Sequence, residues 1–181
     1  MESFDKIDGP RLMRLVPDLG ALALDVHQMF TDHQGSEPPD VHMDAFYDLY
    51  TLFEGRIGFI SNSPSKERTD AVIELAQYVG RKISERLGYD EGLEIPLVTS
   101  RMVGKTKPHP APYRRMAAIM ELPPSRIGYV GDMITDVIGA NRAGYACTVL
   151  TNHYGPVQGS RFQRPFNSMA RYALGIPKVA V

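Results

Sequence analysis

Short apolar runs alternate along the chain with longer segments of helical character. The apolar runs are at most seven residues long, are rich in Val, Ile, Leu or aromatic residues, and are bounded by polar residues, Gly or Pro, which is typical of buried strands. They span residues 21–25, 56–61, 94–100, 126–132 and 146–151. The segments between them predict helices over residues 42–54, 65–87, 110–121 and 133–143.

This alternation predicts an α/β fold, namely a Rossmann-like three-layer α/β/α sandwich with a mainly parallel five-stranded sheet. In sheets of this kind, ligands bind at the carboxyl ends of the strands. The chain contains no internal repeat. We therefore expect one domain over residues 1–156, followed by a tail of different character over residues 157–181.

The composition excludes several classes of function. Of the 181 residues, 43% are hydrophobic and 23% are charged, which suits one domain with a substantial core. A formal net charge of −1 gives no electrostatic case for a nucleic-acid partner. No apolar run approaches the roughly 18 residues of a membrane span, and the N-terminus lacks the layout of a secretion signal, so a cytoplasmic protein is predicted. The single cysteine, Cys147, excludes an intrachain disulfide and is expected to be a buried core residue.

The tail over residues 157–181 is basic. It carries four cations and no acidic residue: Arg161, Arg164, Arg171 and Lys178. Such a tail can pack on its own domain or on a second subunit of a homo-oligomer, or it can make a peripheral contact with anionic lipid. Four cations do not distinguish protein packing from lipid contact, and we favour a tail that packs on its own domain or on a second subunit.

The stretch "YVGDMITDVIGANRAG" (129–144) contains two acids at the end of a predicted strand. Asp132 and Asp136 are four residues apart at the start of a helix, so both carboxylates can face one point. Two such acids suit a hard divalent cation such as Mg²⁺. Alternatively, one or both simply cap the helix.

Further polar residues follow the other strands. Asp25 comes after the first strand and can be a nucleophile, a metal ligand or a helix cap. After the second strand, Ser61, its neighbour Asn62 and the nearby amides can hold phosphate oxygens, or Ser61 can cap the next helix. The loop "GKTKPHPAP" offers Lys105 and Lys107, each of which suits the charge of a phosphoryl group or can be a solvated surface lysine.

The order of these motifs along the chain is Asp, then Ser, then Lys-Pro, then Gly-Asp-x-x-x-Asp. In this order, residues from about 17 to 155 resemble the haloacid dehalogenase-like hydrolase superfamily. The stretches "RLVPDLGALALD" and "VGDMITDVIGANRAGYACTVL" resemble most closely its subfamily IIIA, the branch of YqeG-like proteins and phosphatidylglycerophosphate phosphatases.

The resemblance implies a role for each motif. Asp25 would attack phosphorus and form an aspartyl-phosphate that water hydrolyses. Mg²⁺ would be held by Asp25, by the main-chain carbonyl of His27 and by Asp132, with Asp136 in support. Ser61, with Asn62, and Lys107 would bind the phosphoryl oxygens.

The spacing of the motifs leaves no room for a sizeable cap domain. Between Asp25 and the helix predicted from residue 42 there are 16 residues, and the 45 residues between Ser61 and Lys107 are consumed by a helix, a strand and a loop. A site without a cap is open, which suits a large phosphorylated substrate, a phospholipid headgroup or a partner that completes the pocket.

The first motif departs from the pattern of the superfamily at one position. The usual second acid, which protonates the leaving group and then activates water, is replaced by His27. Histidine, with a reference pKa near 6.5, can perform acid–base work at neutral pH. Because the metal ligand at this position is a main-chain carbonyl, the substitution need not abolish Mg²⁺ binding.

Three interpretations follow. The leading one is a Mg²⁺-dependent phosphohydrolase in which His27 is the altered acid–base group. The second is an attenuated or non-catalytic relative that binds a phosphorylated ligand or a protein partner. The third is a phosphoacceptor signalling domain, which we disfavour because such domains place their metal-binding acids before, and not after, the Lys-Pro.

Overall fold

The structure, a computed structural model, describes residues 9–26, 30 and 38–150. His27 and the basic tail over residues 157–181 lie outside the described residues. The division into a domain and a tail therefore stays a prediction.

A single five-stranded sheet forms the centre of the fold, in the order β3-β2-β1-β4-β5. The strands are β1 (Ala21–Leu24), β2 (Ile57–Ser61), β3 (Leu97–Thr99), β4 (Ile127–Gly131) and β5 (Cys147–Leu150). Every neighbouring pair is parallel. The sheet confirms the predicted parallel α/β fold.

Helices connect the strands. They are α1 (Gly9–Leu15), α2 (Asp40–Leu52), α3 (Lys66–Leu87), α4 (Ser100–Val103), α5 (Ala111–Ile119) and α6 (Ile134–Ala143), with a 3₁₀ turn at Pro124–Arg126. The four predicted helices are confirmed, and α1 and α4 were not predicted. Helices α3 and α6 end at Gly88 and Gly144, whose φ angles of 76° and 87° favour glycine.

The core lies in two layers, one on each face of the sheet. Successive side chains of a strand point to opposite faces, so Leu22 and Leu24 of β1 join the cluster beneath α2 and α3, whereas Ala21 and Ala23 join the cluster beneath α5 and α6. All four side chains are fully buried. The central strand is therefore apolar throughout and delivers its first polar side chain, Asp25, at its carboxyl end.

Strand β3 is shorter than its apolar run, which extends over residues 94–100. Pro96 has no N–H to donate to a ladder, and its carbonyl accepts a bond of 2.8 Å from the Phe59 N–H just before the strand begins. At the other end, Ser100 already belongs to α4. The residues between Ser61 and Lys107 are occupied by α3, β3, α4 and their short connections.

No helix within the described residues is long and apolar enough to cross a membrane.

Helix α3 carries a glycine where another segment passes closely. A methyl group on Gly80 would overlap the main-chain carbonyl oxygen of Leu93. Although alanine is intrinsically the better helix former by about 1 kcal/mol, Gly80→Ala is therefore expected to lower the free energy of unfolding by about 1–3 kcal/mol. Urea denaturation followed by circular dichroism measures the effect. Gln77→Ala, on the exposed face of the same helix, is the control, and a Gly80→Ala variant as stable as wild type would contradict the predicted overlap.

Candidate active site

Three neighbouring strands bring polar side chains to one edge of the sheet. Because β1 lies between β2 and β4, Asp25 at the end of β1 has Ser61 on one side and Asp132, just past β4, on the other. The Asp25 N–H donates to the Val130 carbonyl at 2.8 Å, which ties the position of Asp25 to the end of β4. The described residues thus join motifs that lie more than a hundred positions apart in the sequence.

The carboxylates of Asp25, Asp132 and Asp136 form one buried cluster. Each offers an oxygen that lies within 4.8 Å of the other two, and the residues are only 7%, 3% and 0% exposed. A methyl group on Gly131 would overlap the Asp136 carboxylate. The glycine of the Gly-Asp motif therefore leaves the space in which this acid lies.

Lys107 enters the cluster from the loop that precedes α5. Its Nζ lies 2.7 Å from Asp25 Oδ2 and 2.7 Å from Asp136 Oδ1, and its side chain is 3% exposed. Lys105 is exposed. Of the two lysines that the sequence left open, Lys107 is the one that contacts the acids. The Lys107–Pro108 peptide bond is cis.

Both interpretations of Asp136, as a helix cap and as a site residue, hold at once. Its Oδ2 accepts the Met133 N–H at 3.1 Å, which caps α6. Its Oδ1 accepts from Lys107 and, at 3.4 Å, from the Tyr129 hydroxyl. Since both oxygens are engaged, Asp136 holds the lysine and the helix together.

The residues after β2 connect to the lysine loop. Asn62 Oδ1 accepts the Lys107 N–H at 2.9 Å. Ser61 is 1% exposed, and its Oγ lies 2.8 Å from Ser63 Oγ. The cap of α3 is Ser65, whose side chain accepts the Arg68 N–H, so the helix-capping role considered for Ser61 falls to another serine.

Burial and charge shift the pKa values of the cluster. Burial raises the pKa of Asp25 and outweighs the opposing effect of Lys107. Burial, followed by the Asp25 charge, also raises the pKa of Asp136. Burial would lower the pKa of Lys107, but its two carboxylate partners together raise it above its ordinary value. Lys107 is therefore a charged ammonium at neutral pH, with two acids that bind protons more readily than usual.

Two site residues escaped prediction from the sequence. Tyr129, on β4, reaches Lys107 with its hydroxyl at 3.1 Å, but a tyrosine inside an apolar run is typical of a core residue. Ser63 is fully buried against Ser61. In the sequence, the only sign that Ser63 belongs to the site is that it is a polar residue two positions after Ser61. His27, predicted as acid–base group and main-chain metal ligand, lies outside the described residues.

Comparison with known proteins supports the resemblance at the level of the superfamily. The family model described as haloacid dehalogenase-like hydrolase matches residues 81–150, which include the lysine loop, the Gly-Asp motif and three strands. No curated protein matches the chain.

Solved structures from several bacteria also match the chain. An uncharacterised protein from Corynebacterium glutamicum is 19% identical, with 85% of this chain and 94% of that chain covered and a TM-score of 0.48. A protein from Mesorhizobium loti, named as a HAD-like phosphatase, is 20% identical, with coverages of 73% and 72% and a TM-score of 0.48. A predicted phosphoglycolate phosphatase from Haemophilus somnus is 14% identical, with coverages of 84% and 98% and a TM-score of 0.43.

The buried charges predict how a Lys107→Met variant behaves. Removal of the ammonium leaves the buried carboxylates of Asp25 and Asp136 without their cation, which is expected to lower the free energy of unfolding by about 3–5 kcal/mol near neutral pH. An acid whose folded pKa is raised contributes stability that is complete below its unfolded pKa and is lost as the pH rises through the folded value. Because the variant raises the pKa values of Asp25 and Asp136 further, its deficit relative to wild type should grow as the pH rises through the wild-type pKa values of these two acids.

Urea denaturation at a series of pH values measures this deficit. The matched control is Lys105→Met, since Lys105 is exposed two residues away and surface substitutions usually change stability by less than about 0.5 kcal/mol. A deficit independent of pH, or equal in the two variants, would contradict the ion-pair account.

Proposed function

We propose that the protein is a Mg²⁺-dependent phosphohydrolase that removes the phosphate of a phosphomonoester through an aspartyl-phosphate on Asp25. One observation carries the proposal: the buried Asp25 carboxylate lies 2.7 Å from the Lys107 ammonium, in a cluster with Asp132 and Asp136, at the edge of a parallel sheet where ligands bind. The match of residues 81–150 to the haloacid dehalogenase-like hydrolases agrees with it.

The donor set fits a divalent cation. Three carboxylates and one ammonium leave a charge of −2 when all are ionised, and carboxylate oxygens are the ligands that Mg²⁺ prefers. Asp25 and Asp132 would hold the ion, together with the main-chain carbonyl of His27 that the resemblance implies. Asp136 would support the metal site without binding the ion directly, because both of its carboxylate oxygens already accept hydrogen bonds. When bound, Mg²⁺ would neutralise charge on the phosphoryl oxygens.

The proposed reaction consists of two displacement steps at phosphorus. In the first, a carboxylate oxygen of Asp25 bonds to phosphorus, the bond to the leaving oxygen breaks, and the His27 imidazolium gives that oxygen a proton. In the second, His27 takes a proton from water as the water oxygen bonds to phosphorus, and the bond to Asp25 breaks. Inorganic phosphate leaves, and both residues return to their starting forms.

The phosphoryl oxygens would be bound by Lys107 and the Ser61 hydroxyl. Lys107 lies beside the attacking carboxylate, where its charge acts on the oxygens of the transferred group. Asn62 would contribute mainly by fixing the lysine loop, since its Oδ1 accepts the Lys107 N–H.

The substrate class we propose is a phosphomonoester with a large or exposed leaving group. A phospholipid headgroup such as phosphatidylglycerophosphate follows from the resemblance to one branch of the superfamily, and not from the site. A comparison of kcat/KM for an aryl phosphate, a short-chain soluble phosphatidylglycerophosphate and a long-chain phosphatidylglycerophosphate in vesicles tests it. Peripheral membrane contact predicts the highest rate with vesicles.

The histidine at position 27 favours a second candidate. An attenuated relative would keep the ligand site of Asp25, Lys107 and Asp132 and lack efficient proton transfer, which typically contributes ~10²–10⁴-fold in rate. Such a protein would bind a phosphorylated ligand or a protein partner without turnover.

Turnover of an aryl phosphate separates the two candidates. We expect Mg²⁺-dependent hydrolysis by the wild type and a loss of more than ~10³-fold in kcat in Asp25→Asn, because the amide cannot attack phosphorus. Hydrolysis in His27→Asp but not in wild type would identify the attenuated relative. If Asp25→Asn hydrolyses the substrate as fast as wild type does, the nucleophile is wrongly assigned.

Metal binding has a separate test in Asp132→Asn. Without metal, the loss of one charge near Asp25, whose pKa Asp132 helps to raise, is expected to raise Tm by roughly 3 °C, or about 1 kcal/mol. With Mg²⁺ at about 100 times its Kd, the wild type should gain about 2.7 kcal/mol and the variant almost nothing.

Thermal denaturation with Mg²⁺ or with a chelator measures both effects. Asp48→Asn, which changes an exposed acid of α2, is the control and should gain as much from Mg²⁺ as wild type does. Equal stabilisation of Asp132→Asn and wild type by Mg²⁺ would exclude Asp132 as a ligand.

A further inference from the structure

The Lys107 ammonium makes three polar contacts, one for each of its N–H groups. Two acceptors are the carboxylate oxygens of Asp25 and Asp136, each at 2.7 Å. The third is the Tyr129 hydroxyl at 3.1 Å. Within the described residues, the geometry of this ammonium therefore depends on Tyr129 as well as on the acids.

The Tyr129 hydroxyl joins the lysine to the acid behind it. It accepts from Lys107 and donates to Asp136 Oδ1 at 3.4 Å. Burial, with the nearby Asp136 charge, raises the pKa of Tyr129 well above its ordinary value of 10.0. The group therefore stays a neutral hydroxyl that accepts from one partner while it donates to the other.

The ring that carries this hydroxyl is held by aromatic packing. Tyr129 is fully buried on β4, and its ring meets those of Tyr113 and Tyr145 edge to face, with centroids 5.0 Å and 6.4 Å away. A methyl group on Gly139 of α6 would overlap the Tyr113 ring. The space around the ring is filled, so the position of the hydroxyl is set by the strand and its packing.

We propose that Tyr129 is a positioning residue that holds the Lys107 ammonium in the orientation required for phosphoryl transfer to Asp25. This inference rests on the proposed function. When Asp25 bonds to phosphorus, its carboxylate loses its charge, and the N–H that pointed at it can turn to a phosphoryl oxygen. The bonds to Asp136 and Tyr129 keep the ammonium in place during that exchange.

The variant Tyr129→Phe removes the hydroxyl and keeps the ring. The control is Tyr145→Phe, in the same aromatic cluster, because the Tyr145 hydroxyl donates to the Tyr113 carbonyl at 2.8 Å and not to the lysine. We expect kcat for an aryl phosphate to fall about tenfold or more in Tyr129→Phe and to stay close to wild type in Tyr145→Phe. Equal kcat values in the two variants would overturn the inference.

A second readout is independent of turnover. In protein labelled with ¹⁵N-lysine, the ammonium resonance of buried Lys107 should shift in Tyr129→Phe and not in Tyr145→Phe, and an unchanged resonance in Tyr129→Phe overturns the inference.

If the wild type hydrolyses no phosphomonoester, the proposed function fails, and this resonance still decides whether Tyr129 positions the lysine. If Tyr129→Phe does not fold, a nuclear Overhauser effect in wild type between the Lys107 ammonium and the Tyr129 ring supports the inference, and its absence refutes it.

Discussion

The buried ion pair between Lys107 and the carboxylates of Asp25 and Asp136 is the interaction on which the rest of the site depends. Removing a charged group from water costs several kcal/mol, and attraction between opposite charges offsets that cost only where the geometry is good and the remaining polar atoms are hydrogen-bonded. Here the two ion-pair distances are 2.7 Å. The Asn62 side chain and the Tyr129 hydroxyl satisfy further groups of the same lysine. Three separate parts of the chain therefore meet at one ammonium, and a fourth, Asn62, holds the main chain of the same lysine.

This arrangement leaves more negative than positive charge in the cluster, and that imbalance connects stability to function. A protein selected for stability alone would have fewer carboxylates here, since burial raises the pKa of Asp25 and of Asp136. A site that must bind a divalent cation and a phosphoryl group has to keep them ionised. We interpret the raised pKa values of Asp25 and Asp136 as a sign that their ionised forms are destabilised by burial while no cation is bound. This loss of stability is the cost of a preformed cation site.

Much of the architecture could be predicted from the sequence because parallel strands buried on both faces read as short apolar runs. The same reasoning placed Asp25, Ser61 and Asp132 at one sheet edge, whereas the choice between Lys105 and Lys107 was left open by the sequence and favoured Lys107 only through the resemblance. The limits of β3 could not be predicted from hydrophobicity, because Pro96 is apolar but cannot donate to a ladder. The one-turn helix α4 is too short to show a periodicity.

Tyr129 could not be predicted as part of the site for a different reason. Its ring satisfies the apolar pattern of β4, and only the position of its hydroxyl, set by the packing of two other tyrosines, shows a polar role. A sequence pattern reports which face a side chain lies on, but not what the polar end of an aromatic residue reaches.

The central claim is that Asp25 accepts a phosphoryl group beside the Lys107 ammonium. Its most direct test is mass spectrometry of wild-type protein mixed with Mg²⁺ and a reactive acyl phosphate, quenched in acid and digested. Our account predicts the mass of one phosphoryl group on the peptide that contains Asp25, located on Asp25 by fragmentation and absent when Mg²⁺ is chelated. A phosphoryl group on a different residue, or hydrolysis of the acyl phosphate without any phosphorylated peptide, would contradict it.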